Sequence, residues 1–326
     1  MAIERFDLYG ETAIRARNEK LEIVLVPSWG SNLLSLRSLG KNLDLLRFPQ
    51  CREEYEADPF MYGLPILFPP NRIADGRFEY NDREYRFNIN DPSEHNHTHG
   101  LLFDAPWKLL RAEVEGERIV LETIIHSEDH EGILAQFPHL FTVHMKYVLE
   151  QASLTVEATV SNRDSAPFPW GLGYHTTFNF PFNGSGDLAA CRFALNADKH
   201  WVLDERFLPT GELADIPYSE QLREGKSLVG HALDDAFLTA GTGANEAVLT
   251  DSGSGIRVVY GADEQFKHWV VYNHDSKQGY LCPEPYTWIT NAPNLRQLPE
   301  EMTGFRVLRP GEQAKTTTRI RIEEGI

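Results

Sequence analysis

Ser153-Leu-Thr-Val-Glu-Ala-Thr-Val160 alternates without a break. Leu154, Val156, Ala158 and Val160 are apolar, and the residues between them are polar or charged. Successive side chains on an extended chain point to opposite faces, so this pattern predicts a strand with one face in a core. ERIVLETIIH (117–126) and FTVHMKYVL (141–149) have the same β-rich character. RFEYNDREYRF (77–87) reads as a hairpin, with Phe78 and Tyr80 before an Asn81-Asp82 turn and Tyr85 and Phe87 after it. GIRVVY (255–260) and KTTTRIRI (315–322) are further strands, the second entered through an Arg309-Pro310-Gly311 turn. Helical periodicity is confined to short stretches around YSEQLREG (218–225) and LPEEM (298–302).

The 24 glycines and 19 prolines are spread as punctuation between short runs, with no repeat and no linker. The expectation is one large antiparallel all-β domain over residues 1–326, with sheets packed face to face. The chain is 41% hydrophobic and 24% charged, which fits a soluble globular protein. Its formal charge of −17 argues against nucleic acid or an anionic membrane as partner, because both require a basic face. Cys51, Cys191 and Cys282 are odd in number and widely spaced, which fits free thiols in a reducing compartment. The first residues have no apolar core of signal-peptide type, and no apolar run is long enough to cross a membrane. These features predict a cytoplasmic protein.

Chemistry is then expected in four loop-like segments: 58–77, 90–107, 164–183 and LCPEPYTWITNAPN (281–294). The second contains His95, His97 and His99 at alternate positions, which would share a face on a regular strand. A metal site of cupin type would need a carboxylate three or four residues later, and GLLF stands there instead. His95 and His97 are therefore read as solvated loop residues, and no metal is assigned. His99, next to a Gly and an apolar pair, reads as part of a tight turn beside a packed floor. His175 has a similar aromatic setting in GYHTTFNF. Glu284 is bracketed by Pro283 and Pro285, which stiffen the chain and remove two N–H donors. Apolar surroundings would raise its pKa toward neutrality and suit it to act as a general base; the alternative is a structural Glu paired with an Arg.

Together these residues resemble the aldose 1-epimerase (galactose mutarotase) family. The matching pieces run in order along nearly the whole chain: WGSNLLSLR (29–37), PPNRIADGRFEYNDREYRF (69–87), THG (98–100), YHTTFNF (174–180), LDDAF (233–237), EPYTWITNAPN (284–294) and VLRPGE (307–312). The resemblance implies a β-supersandwich and interconversion of the anomers of a free aldose without a cofactor. Matched position by position, it implies that Glu284 is the general base and His175 the general acid. It also implies that His99, Arg72 and Asp234 bind the sugar, with Asp234 favoured over Asp235 because Phe237 lies three places on. Two departures bear on sugar preference: PWGLGYH lacks the Asn usual before the second His, and Leu101 replaces a second Gly after His-Gly.

Ring opening needs a base for the anomeric hydroxyl and an acid for the ring oxygen, expected on opposite sides of the sugar. Trp170, Tyr174 and Tyr286 are candidates for its apolar faces, with core packing the commoner role for each. Three alternatives remain on sequence grounds, one of them the metal-dependent cupin-like enzyme weighed above. A hexose-6-phosphate mutarotase would need extra cationic residues, and GLLFDAPW (100–107) supplies Asp104 and no Arg. A non-catalytic sugar-binding protein would not need Glu284 together with both histidines.

Overall fold

In the computed structural model, which describes residues 1–184 and 186–326, Ser153–Asn162 is a strand in the middle of an eight-stranded antiparallel sheet. Leu154, Val156, Ala158 and Val160 are at most 1% exposed, while Thr155, Glu157 and Thr159 are partly exposed. The order across this sheet is Lys108–Glu115, Arg118–His126, Phe141–Glu150, Ser153–Asn162, Gln313–Glu324, Ile256–Ala262, Glu246–Asp251 and Cys191–Leu195. A second sheet runs Pro209–Asp215, Ala197–Leu203, Asp234–Thr239, His268–Tyr272, Tyr280–Tyr286, Gly173–Tyr174 and Ile66–Leu67, with Phe178–Asn179 also paired to Tyr280–Tyr286. A five-stranded meander is formed by Ala2–Leu8, Glu11–Arg17, Leu21–Val26, Asn32–Ser38 and Leu43–Asp44.

The two large sheets face each other. Trp269 of the second sheet meets Tyr260 of the first edge to face at 5.4 Å, and one apolar cluster includes Ile23, Val156, Trp269, Leu281 and Ile320. Because side chains alternate, Trp269 and Val271 point into this shared core. Val270, Tyr272 and Glu284, at the alternate positions, project from the opposite face of the second sheet. That outer face carries the site.

Helices are short among the described residues: Arg52–Ala57, Glu131–Gln136, Ser219–Glu224 and Glu300–Thr303. The last two fall where sequence periodicity predicts them. No described helix is long and apolar enough to cross a membrane. Cys51, Cys191 and Cys282 are all free thiols.

Candidate active site

Glu284 is on a strand, not in a loop as the flanking prolines suggest. The Tyr286 carbonyl accepts from the Lys267 N–H at 3.0 Å on one side, while the Thr287 N–H donates to the Leu172 carbonyl at 2.9 Å on the other. Backbone direction alternates, so the positions of Pro283 and Pro285 face the second side. There Gly173–Tyr174 breaks off and the chain bulges through His175, Thr176 and Thr177 before pairing resumes at Phe178. The two missing N–H groups therefore fall where the ladder is already interrupted, which makes proline tolerable in a central strand.

The His175 bulge is held by its own N–H on the Pro65 carbonyl (3.1 Å) and the Thr177 N–H on the Gly63 carbonyl (3.0 Å). It brings His175 Nε2 to 3.2 Å from Glu284 Oε1. Tyr286 donates its hydroxyl to Glu284 Oε2, and Asn71 Nδ2 donates to the Tyr286 oxygen at 3.1 Å. The Tyr286 ring packs against Gly173, where a Cβ would come within 2.3 Å of it. Glu284 is 1% and His175 6% exposed. Burial pushes the Glu284 carboxyl well above the usual carboxylate range, with Asp234 adding to the shift and Tyr286 and Arg72 opposing it. Burial brings His175 down to about 4, against a backbone hydrogen bond and with Arg72 acting in the same direction.

His99 joins this pair from a separate segment. Its ring meets His175 edge to face at 5.1 Å and Phe60 at 4.3 Å. Burial, with His175, Arg72 and His97 nearby, holds it well below the ordinary imidazole value. His99 and Gly100 both adopt left-handed φ, 67° and 76°. A Cβ on Gly100 would lie 2.2 Å from the Phe68 carbonyl oxygen, so the His-Gly turn needs glycine for space as well as for conformation. Gly100→Ala is expected to destabilise the fold by about 1–3 kcal/mol or more and to displace His99, seen as a lower thermal midpoint and a shifted His99 ring resonance. An unchanged midpoint would show that the turn has more room than these distances allow.

Arg72 and His99 are locked in one small ladder. Arg72–Ala74 pairs with Asn96–Thr98, and the His99 N–H donates to the Asn71 carbonyl at 3.0 Å. The Arg72 guanidinium lies between two carboxylates, Asp91 at 3.8 Å and Asp234 at 4.0 Å. Asp234 and Tyr272 face each other across neighbouring strands, and Tyr272 faces Cys282 across the next. Period two thus turns Asp234 to the site face, while Asp235 pairs with His200 at 3.2 Å. Burial raises the Asp234 carboxyl against the pull of Arg72.

All five residues singled out from the sequence, Glu284, His175, His99, Arg72 and Asp234, are therefore brought together. The sequence readings are corrected at several points, the first being the loop placement of Glu284 described above. The histidines at 95, 97 and 99 do not share a face, because His95 (φ 55°) and His99 turn left-handed on either side of the three-residue strand. His97 is not solvated: it is 1% exposed, packs on Phe87 at 4.9 Å, and its Nδ1 lies 2.8 Å from the Asn88 carbonyl. His95 is exposed as expected, 3.1 Å from Asp75. The two residues expected to act as acid and base, His175 and Glu284, do not face each other across a sugar-sized gap either; they lie 3.2 Å apart. Both reacting oxygens of an aldose are bonded to one carbon, so neighbouring groups can serve both.

Asn71, Asp91, Phe60 and Tyr286 in its role as hydrogen-bond donor to Glu284 were not picked out in advance. Asn71 stood beside Arg72 in the quoted PPNRIADG segment, but no pattern marked its side chain. Trp170 and Tyr174 are core residues, 3% and 0% exposed. Among the described residues, ligand atoms of His175, Cys282 and Glu284 lie within 4.8 Å of one another.

The sequence matches the family model described as aldose 1-epimerase over residues 12–321. It is 26% identical over 219 residues to a galactose mutarotase of Rattus norvegicus, covering 66% of this chain and 58% of the rat protein, so the match spans less than two thirds of that relative. It is 25% identical over 266 residues to an uncharacterized protein of Escherichia coli strain K12, covering 79% and 81% of the two chains. A solved galactose mutarotase-like protein from Clostridium acetobutylicum superposes with a TM-score of 0.94 at 29% identity, over 99% of this chain and 98% of the other.

Proposed function

This chain belongs to the aldose 1-epimerase family, and from that premise we propose that it is an isomerase interconverting the α and β anomers of a free aldose within one domain. The observation that carries the reading is the buried Glu284–His175 contact at 3.2 Å. The pair holds one proton through the cycle. With the proton on His175, Glu284 takes the proton of the anomeric hydroxyl while His175 protonates the ring oxygen, and the ring opens. The pair is then neutral on both sides, the form that burial favours. Rotation about the bond between the first two carbons and reclosure with the roles exchanged gives the other anomer. Sugar hydroxyls entering the site offer hydrogen bonds to both charged partners, which makes the ion-pair form accessible on binding. His99 is placed to steady the reacting centre, and Arg72 and Asp234 to hold the hydroxyls.

A neutral sugar fits better than a sugar phosphate. Arg72 is a cation at the site, and Asp91 and Asp234 already flank it. A phosphate dianion would meet both carboxylates as well as the guanidinium. The test is anomer exchange, followed by polarimetry or saturation-transfer NMR, over free aldoses and hexose 6-phosphates. Catalysis of free aldoses supports the reading, and catalysis restricted to the phosphates overturns the substrate class. No exchange with any sugar by the folded protein moves the weight to a binding role.

Arg72→Ala is expected to raise KM about 10- to 100-fold, the range for losing one or two hydrogen bonds to a charged group. Arg72→Lys is expected to recover only part of this, because an ammonium lacks the planar fork. Full recovery with Lys would mean that the position supplies charge alone.

A further inference from the structure

The hairpin turn between Ala197–Leu203 and Pro209–Asp215 is tightly tied. Asp204 Oδ1 accepts the N–H groups of Arg206 (2.8 Å) and Leu208 (3.0 Å), and the Phe207 N–H donates to the Asp204 carbonyl (3.0 Å). Phe207 has a left-handed φ of 57° and is 38% exposed. Left-handed turn positions are where Gly, Asn or Asp are favoured, and a bulky aromatic there is strained. Among the described residues the ring joins none of the apolar core clusters, and the Arg72 guanidinium carbon lies 4.9 Å from its centre.

The turn is also clamped from the side. Arg206 donates to the carbonyls of Glu94 and His95 at 2.8 Å each, and to Asn96 Oδ1 and Asp75 Oδ1 at 3.0 Å each. Asp75 Oδ1 is shared with His95 Nδ1, which gives His95 a partner in the same junction. Residues 94–96 lead directly into the strand that pairs with Arg72–Ala74. The hairpin tip is thus stapled to the ladder that carries Arg72 and His99. Exposure rises outward along this line, from Glu284 at 1% to Phe207 at 38%.

Resting on the sugar reading above, we infer that Phe207 is a sugar-contacting residue at the outer wall of the site, and that Arg206 is the residue that positions it. An aldose presents C–H faces between its hydroxyls, and an aromatic ring covers such a face without competing for hydrogen bonds. The same ring backs Arg72, so the guanidinium edge stays aimed at the hydroxyls. Strain at Phe207 is kept because the contact is useful.

The test is a set of variants, Phe207→Gly, Phe207→Tyr, Arg206→Ala and the double Arg206→Ala/Phe207→Gly, assayed for KM, kcat and thermal midpoint on a panel of free aldoses. Phe207→Gly is expected to raise KM about tenfold, with the loss taken in KM rather than kcat and with a midpoint equal to or above wild type. Phe207→Tyr restores KM. Arg206→Ala raises KM in the same direction, and the double variant is no worse than Phe207→Gly alone, since both remove one contact. Wild-type KM in Phe207→Gly on every sugar overturns the inference, and multiplying losses in the double variant overturn the role of Arg206. If the wild-type protein exchanges no anomers, the mutarotase reading fails separately, and aldose binding by saturation-transfer difference NMR decides for Phe207. Weaker binding by Phe207→Gly supports the contact, while equal binding, or none by either protein, overturns it.

Discussion

Glu284→Gln is expected to lower kcat for anomer exchange by on the order of 10²–10⁴ while leaving the fold intact, the range for removing one positioned proton acceptor. The amide has the shape of the carboxyl, and Tyr286 can still donate to its oxygen as it does to Glu284 Oε2. What the amide cannot do is accept the proton of the anomeric hydroxyl. The raised pKa also bears on stability. Burial pushes the Glu284 carboxyl well above its usual range and so favours its neutral form, which a neutral amide replaces at little cost. Had Glu284 been a structural anion paired with an Arg, its loss would uncover a buried charge and cost about 3–5 kcal/mol. Polarimetric rates beside a thermal melt separate the two cases. A rate within tenfold of wild type would move the base elsewhere, with Asp234 the first candidate; a collapsed melt would return Glu284 to a structural role.

How much of this was legible beforehand depended on whether a residue belonged to a pattern. The strand at 153–160, the hairpin at 77–87 and the strand entered after Gly311 repeat with period two, and a half-buried sheet leaves that trace in any sequence. The helices Arg52–Ala57 and Glu131–Gln136 are six residues each and were not marked in the sequence, although the equally short Ser219–Glu224 was. At Glu284 the local signal misled: two prolines suggest a loop, and only the interruption of the neighbouring strand at His175 explains why they sit in a central one. His97 misled in the opposite sense, since the left-handed residues on either side of it, not its own spacing, decide where each ring points. Phe207 left no signal because its importance lies in its distance to Arg72, 135 positions earlier in the chain. The ordered family pieces carried the five main site residues; the contacts between them belong to the fold.

His175→Gln is expected to cost about 10²-fold or more in kcat/KM, and its larger consequence is a change in the shape of the pH profile. On the proposed mechanism the pair works while it holds one proton. It gains a second only when His175 is protonated beside a neutral Glu284, and burial brings His175 down to about 4. The acid limb of kcat/KM should therefore lie near pH 4, below the ordinary imidazole value. The alkaline limb follows loss of the last proton from the pair, above the usual carboxylate range because burial raises Glu284. Between these limits the rate is flat. Without His175 the proton on Glu284 has no neighbour to move to, and the base form exists only above the raised Glu284 pKa. The flat region should then become a rise with pH across the same interval, at a low rate throughout. Combining His175→Gln with Glu284→Gln should cost scarcely more than the worse single change, because two groups that pass one proton act as a unit. Stopped polarimetry from pH 4 to 9 on the three variants would measure this. A His175→Gln profile that keeps the wild-type shape at reduced height would show that His175 positions the sugar and that the proton reaching the ring oxygen comes from another donor, His99 being the nearest imidazole at 5.1 Å between ring centres.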